Sequence, residues 1–204
     1  MKPMMIAAAL VSGLAGQAPA DTPMTRLMEQ ETRALKAISG DRMASYIQRP
    51  EVGIAYSRDW LARQTVKGGD EQTACLSEAL YFEARGESVK GQFAVAEVIM
   101  NRVDSAEFPD TICGVIHQGT GRKYQCQFTY TCDGHPEHIA DTATHERLGK
   151  VAGLMAQGAP RRLTDGATFY HTRSVNPRWA RVFQRTASIG VHHFYRKPTQ
   201  LSQN

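Results

Sequence analysis

The sequence predicts an α+β fold, helices first and a small antiparallel sheet last. Two observations predict it. Between residues 70 and 158, apolar residues recur at helical spacing, bounded by capping residues and by glycines at helix ends. Beyond Pro160 the pattern changes to short β-like runs, with a turn at Ile189-Gly190. Segregation of helices from strands along the chain is the mark of α+β architecture.

The elements follow in order. Residues 1–20 read as a secretory signal peptide: Lys2 supplies the positive start, Met4 to Ala15 the apolar stretch, and Ala18-Pro19-Ala20 a small-residue cleavage site, leaving Asp21 first in the mature protein. Residues 21–69 form a polar arm. Met24, Leu27, Met28, Leu35 and Ile38 fall at helical spacing there, and Pro50, Gly53 and Gly68-Gly69 punctuate the rest. The main domain is assigned to 70–198, with a tail at 199–204. Asp70 caps a helix running to about Arg85 and stopped by Gly86; Ser88 caps a second from about Val89 to Val103. Asp110 is the expected cap of a short third helix carrying Ile112, Val115 and Ile116. A fourth covers about Thr144 to Gln157, with Gly158 after it. The expected strands are Ala167 to Thr172, Val182 to Ser188 and Val191 to Arg196.

Composition narrows the class. The chain has 204 residues, 42% hydrophobic and 22% charged, with 17 Gly and 9 Pro, which excludes collagen-like, low-complexity and wholly disordered proteins. No apolar run reaches the roughly 18 residues of a membrane span. The formal charge of +4 defines no partner by itself. Residues 161–200, however, hold seven Arg and one Lys against one acid, Asp165, enough to attract an acidic polymer. For an exported protein, anionic cell wall is the expected partner, not nucleic acid. The expected location is periplasmic or extracellular.

Four cysteines, Cys75, Cys113, Cys126 and Cys132, suit an oxidising compartment. Three pairings are open to them. Of these we favour Cys75–Cys113 and Cys126–Cys132, worth roughly 4 and about 2 kcal/mol in the chain-entropy account.

One carboxylate stands on the wrong face of its helix. At 100° per residue, Leu76, Ala79 and Leu80 form the apolar stripe of the first main helix, and Glu83 falls inside it, while Glu78 points the other way. Burial and the carbonyls of the last helical turn both push a carboxyl's pKa up. Glu87 precedes the next helix, where free N–H groups favour the ionised form. Opposed environments are how two acids divide the roles of proton donor and charge. Glu83 is therefore the candidate general acid. The plain alternatives are a Glu83–Arg85 ion pair and a Glu87 that merely complements the helix start. Gln92 projects from the buried face of the second helix, so it bonds either Glu83 or a turn. Glu97 lies just off that face and reads as a solvated charge.

These residues, taken in series, resemble the SleB/CwlJ-type cell wall hydrolases. The resemblance runs through Cys75-Leu-Ser-Glu-Ala-Leu-Tyr-Phe-Glu83-Ala-Arg-Gly-Glu87, Gly91-Gln92-Phe-Ala-Val-Ala and Asn101-Arg102-Val103. It continues in Phe108-Pro109-Asp-Thr-Ile-Cys113, Cys126-Gln127-Phe128 and Cys132-Asp133-Gly134. It closes on Gly166-Ala-Thr-Phe-Tyr-His171, Pro177-Arg178-Trp179-Ala180 and Ile189-Gly190-x-His-x-Phe-Tyr-Arg196. It implies a fold related to lysozyme-like lytic transglycosylases and cleavage of the bond joining N-acetylmuramic acid to N-acetylglucosamine in peptidoglycan, without a cofactor. Glu83 matches the family's catalytic glutamate, and in the transglycosylase reaction it serves as acid and then base. A water-using glycosidase needs a second carboxyl, for which Glu87, Glu97, Asp133 and Asp165 are the main-domain candidates. Glu87 and Gln92 are possible supporting residues. Gln127, Phe128, Tyr170, His171 and Trp179 are the expected substrate contacts. His192 and His193, adjacent in a strand, should face opposite ways.

Two other readings compete. Cys126, Cys132, His135 and His138 form a C-x5-C-x2-H-x2-H array that zinc could occupy in a wall peptidase or amidase, although the spacing is irregular and no H-E-x-x-H occurs. No metal is the preferred expectation. The basic C-terminal segment could also belong to a non-catalytic wall-binding module.

Overall fold

A computed structural model describes residues 23–36, 53–66, 68–122 and 125–198. The chain divides into two compact units, residues 1–50 and 51–204. In the first, Pro23–Lys36 is a helix (α1), and Met24, Leu27 and Met28 are exposed. The expected signal peptide and the 199–204 tail lie outside the described residues.

The second unit starts earlier than the expected boundary at residue 70. A short helix, Arg58–Ala62 (α2), is capped by the Ser57 hydroxyl and buries Leu61 completely. Tyr56 and Trp60 pack on Phe93 with ring centroids 5.3 and 6.2 Å apart. Residues that looked like a polar arm thus supply core, because the apolar ones are too sparse to show a period.

The main helices follow their caps. Asp70 accepts from Thr73 N at the start of Glu71–Ala84 (α3), and Ser88 accepts from Gly91 N at the start of Val89–Val103 (α4). Thr111, not Asp110, caps Ile112–Ile116 (α5) by accepting from Gly114 N. Asp141 caps Thr142–Ala156 (α6), two residues before the expected start. Leu76, Leu80, Phe93, Ile99, Ile116, Leu148 and Val151 close the core where α3, α4, α5 and α6 meet.

The sheet comes last, as expected. Phe169–Thr172 (β1), Gln184–Ile189 (β2) and His192–Arg196 (β3) pair antiparallel in the order β1-β3-β2. The strands are shorter than the apolar runs suggested, and a bulge between Arg185 and Ala187 bends β2. The tight turn is Gly190-Val191, one residue on from the expected step. Both disulfides form as favoured, Cys75–Cys113 and Cys126–Cys132, with Cα separations of 5.4 and 6.3 Å. The first ties α3 to α5; the second closes the loop containing the 3-10 turn Thr129–Cys132.

Candidate active site

Glu83 occupies the last turn of α3, half-buried, as its place in the apolar stripe requires. Burial pushes its carboxyl above the usual range, against the lowering effects of a hydrogen bond and a nearby cation. The bond comes from Tyr170 on β1, whose hydroxyl donates to Glu83 Oε2 at 2.8 Å. Burial together with that neighbouring carboxylate keeps the phenol protonated well above its ordinary pKa. The cation is Arg102 on α4, itself 3% exposed. Its Nε donates to Thr168 O at 2.8 Å, and its guanidinium lies over the rings of Phe108, Phe128 and Tyr170, at 5.4, 5.5 and 5.9 Å. No carboxylate pairs with it among the described residues. The expected alternative, a Glu83–Arg85 pair, is absent among them; Arg85 lies instead over the Tyr81 ring.

A second tyrosine lies within electrostatic reach of the same carboxyl. Tyr130, in the Cys126–Cys132 loop, stacks on Phe82 at 4.5 Å, and its buried hydroxyl has no hydrogen-bond partner. Burial and the charges of Glu78, Glu83 and Glu137 all hold its proton on. Beside this loop is an open hollow of about 470 Å³ lined by Thr120, Arg122, Thr131, Cys132 and His135 among others. Sequence reasoning missed Tyr130 and Arg102 because an aromatic in a loop and a cation on a helix carry no sign of what they will face.

The other candidate acids are engaged elsewhere. Glu87 Oε1 accepts from Val191 N at 2.9 Å and lies 3.0 Å from His192 Nδ1, so its role is to hold the β2–β3 turn against the start of α4. Burial, outweighing the neighbouring carboxylate, lowers the His192 pKa, so the ring is neutral. Glu97 corrects the solvated expectation: it is 1% exposed and accepts from Leu163 N, Thr164 N and the Thr164 hydroxyl. The chain beyond Pro160 folds over it, which the helix wheel could not show. Asp133 accepts from His135 N in an exposed turn, and exposed Asp165 lies 3.9 Å from Arg196. Gln92 donates to Glu87 O at 3.1 Å, so it serves the turn between α3 and α4.

Of the expected substrate contacts, Tyr170 alone is shown touching Glu83. Phe128 is 2% exposed and packed under Arg102, so its ring is core. Gln127 is half-buried, its backbone N–H bonded to Gln118 O. His171 and Trp179 lie on the opposite face of the sheet, because neighbours in a strand point opposite ways and Tyr170 faces Glu83. The same alternation sends His192 to Glu87 and His193 to the far face beside His171, as expected. Of the four residues proposed for zinc, two are consumed by the Cys126–Cys132 bond.

Comparison with known proteins places the chain in a family. A spore cortex-lytic enzyme of Halalkalibacterium halodurans is 34% identical over 127 residues, which are 61% of this chain and 34% of that protein. A spore cortex-lytic enzyme of Bacillus cereus strain ATCC 14579 is 48% identical over 123 residues, 58% of this chain and 42% of that one. The chain therefore spans less than half the length of these relatives. The catalytic domain of the germination-specific lytic transglycosylase SleB of Bacillus anthracis matches at 31% identity with a TM-score of 0.48, covering 65% of this chain and all of that one. The model of the Cell Wall Hydrolase family matches residues 86–195, more than half of the sequence, from the residue before Glu87 to Tyr195 in β3. The chain belongs to the cell wall hydrolase family.

Proposed function

We propose that this protein is an exported peptidoglycan glycosidase of the lytic transglycosylase type, with Glu83 as general acid and then base. The observation that carries the reading is the Glu83 carboxyl itself: half-buried at a helix end, raised in pKa, and held by a hydroxyl instead of a salt bridge. Because Tyr170 donates to Oε2, that oxygen is occupied as an acceptor, and the acid proton is carried by Oε1. From there it passes to the bridging oxygen as the bond between muramic acid C1 and that oxygen breaks. The resulting carboxylate, steadied by Tyr170 and Arg102, then takes the proton from the muramic acid 6-hydroxyl as O6 bonds to C1. The product is a 1,6-anhydro ring, and no water is consumed.

Engagement of the other buried acids supports this over hydrolysis. Glu87 and Glu97 are held by the β2–β3 turn and by the Leu163-Thr164 backbone, so neither is available to activate a water. Two disulfides support export to an oxidising compartment, periplasmic or extracellular. No helix of the described residues is long and apolar enough to cross a membrane.

The test is digestion of purified peptidoglycan with mass spectrometry of the fragments. Anhydromuramyl ends are expected, and Glu83→Gln should lower the rate by about 10²- to 10⁴-fold with the fold intact. Reducing muramic acid ends would mean hydrolysis, and released peptides would mean an amidase or peptidase. Undiminished cleavage by folded Glu83→Gln would assign the chemistry to another acid.

A further inference from the structure

We infer that the sheet face turned away from Glu83 is a second, non-cleaving binding surface for peptidoglycan, gripping stem-peptide carboxylates with arginines and a sugar with Trp179 and His193 Nε2, free among the described residues. His171, bonded through both ring nitrogens to Thr172 O and the Tyr195 hydroxyl, holds the face in place. The inference rests on peptidoglycan being the substrate. Strand alternation and the observed register separate the two faces. Tyr170, Phe194 and His192 face the helices, whereas Phe169, His171, His193 and Tyr195 form the far face. Onto that face the 3-10 turn Arg178–Arg181 lays Trp179, 5.4 Å from Phe169, 5.5 Å from His171 and 5.3 Å from Tyr195. Tyr195 is buried beneath, while Trp179, His171 and His193 remain partly open to solvent.

Charge accompanies these rings. Between Gly166 and Arg196 there is no Asp or Glu. Elsewhere in the basic segment cations are neutralised: Arg161 pairs with Asp104, Arg196 lies near Asp165, and Lys197 pairs with Glu107. Arg173, Arg178, Arg181 and Arg185 are exposed and make no ion pair among the described residues. Arg185 stands opposite Tyr195 and so belongs to the far face, and Arg173, in the turn just after β1, is close enough to act on His193 of that face. They flank His193, and burial together with these two cations lowers its pKa, so the ring stays neutral. Arg178 and Arg181 bracket Trp179 in the sequence of its turn.

The pattern has a chemical reading. Arginine forks match carboxylates two bonds at a time. A half-open indole offers an apolar face with a polar edge, suited to a pyranose ring. A strand carrying both acetylated sugars and peptide carboxylates satisfies both sets, and a surface behind the cleft would hold the enzyme on insoluble wall while Glu83 works on a neighbouring strand.

The experiment pellets the full-length Glu83→Gln protein with insoluble peptidoglycan stripped of phosphate polymers. Adding Arg173→Glu and Arg185→Glu should weaken binding about tenfold at low salt and flatten its salt dependence, with an unchanged melting curve. The Arg173→Lys, Arg185→Lys pair should recover part of it, since charge returns without the fork. With Glu83 intact, the charge-reversed protein should cleave short soluble glycan fragments at the parent rate. Equal pelleting of parent and charge-reversed protein would overturn the inference. So would binding seen only before the phosphate polymers are stripped, or binding displaced by duplex DNA. Failure of the parent to cleave glycan while it still pellets would instead count against the proposed function and leave this surface standing.

Discussion

At the scale of the residue, Glu83 is a carboxyl whose surroundings disagree about its proton. Burial favours the neutral acid; Tyr170 and Arg102 favour the carboxylate; burial prevails. A group whose folded pKa is raised contributes stability below its unfolded pKa and loses it as pH rises through the folded value. Glu83→Gln should therefore melt above the parent at pH 7, and the gap should close at pH 3.5 in paired thermal scans. Tyr170→Phe removes a donor to the charged form, so the Glu83 pKa should climb further. The alkaline limb of the cleavage rate against pH should then move upward; a limb that stays in place would mean Tyr170 does not tune this acid. The wheel made Glu83 legible because a charge in an apolar stripe is a contradiction visible in one dimension. Phe128 was misplaced because an aromatic looks the same in a core as in a cleft.

At the scale of the element, the joint between α4 and the β2–β3 turn leaves no room for a side chain. Gly190 has φ +59°, and a Cβ there would collide with the Glu87 carboxylate. Gly190→Ala should cost about 2–3 kcal/mol in denaturant unfolding, from overpacking and a left-handed backbone together. Glu87→Ala in the same protein should give back part of that cost, a coupling that distant, independent sites would not show. Helix starts at Asp70 and Ser88 were legible because each cap is isolated ahead of its apolar stripe. At Asp110-Thr111 two good caps stand side by side, and the backbone chose the second.

At the scale of the whole molecule, two covalent ties brace a modest core. The Cys75–Cys113 bond joins residues 38 positions apart and should contribute roughly 4 kcal/mol, against about 2 for Cys126–Cys132, six positions apart. Cys75→Ala with Cys113→Ala should lower the denaturant midpoint more than Cys126→Ala with Cys132→Ala. The second pair should instead act mainly on cleavage, because its loop carries Tyr130 to the Glu83 site. A larger stability loss from the small loop would contradict the chain-entropy account.

The sequence by itself determined what depends on neighbours along the chain: the caps, the apolar stripes, the change of period beyond Pro160, and the acid on the wrong face of its helix. Only the tertiary structure decided which groups surround that acid. Tyr170 and Arg102 stand 87 and 19 positions away from Glu83, and no local spacing encodes a contact that exists because a sheet folds back over a helix pair. The same folding sent His171 and Trp179 to the far face and buried Glu97. A side chain's chemistry is written in its type, but its work is set by what the chain brings against it.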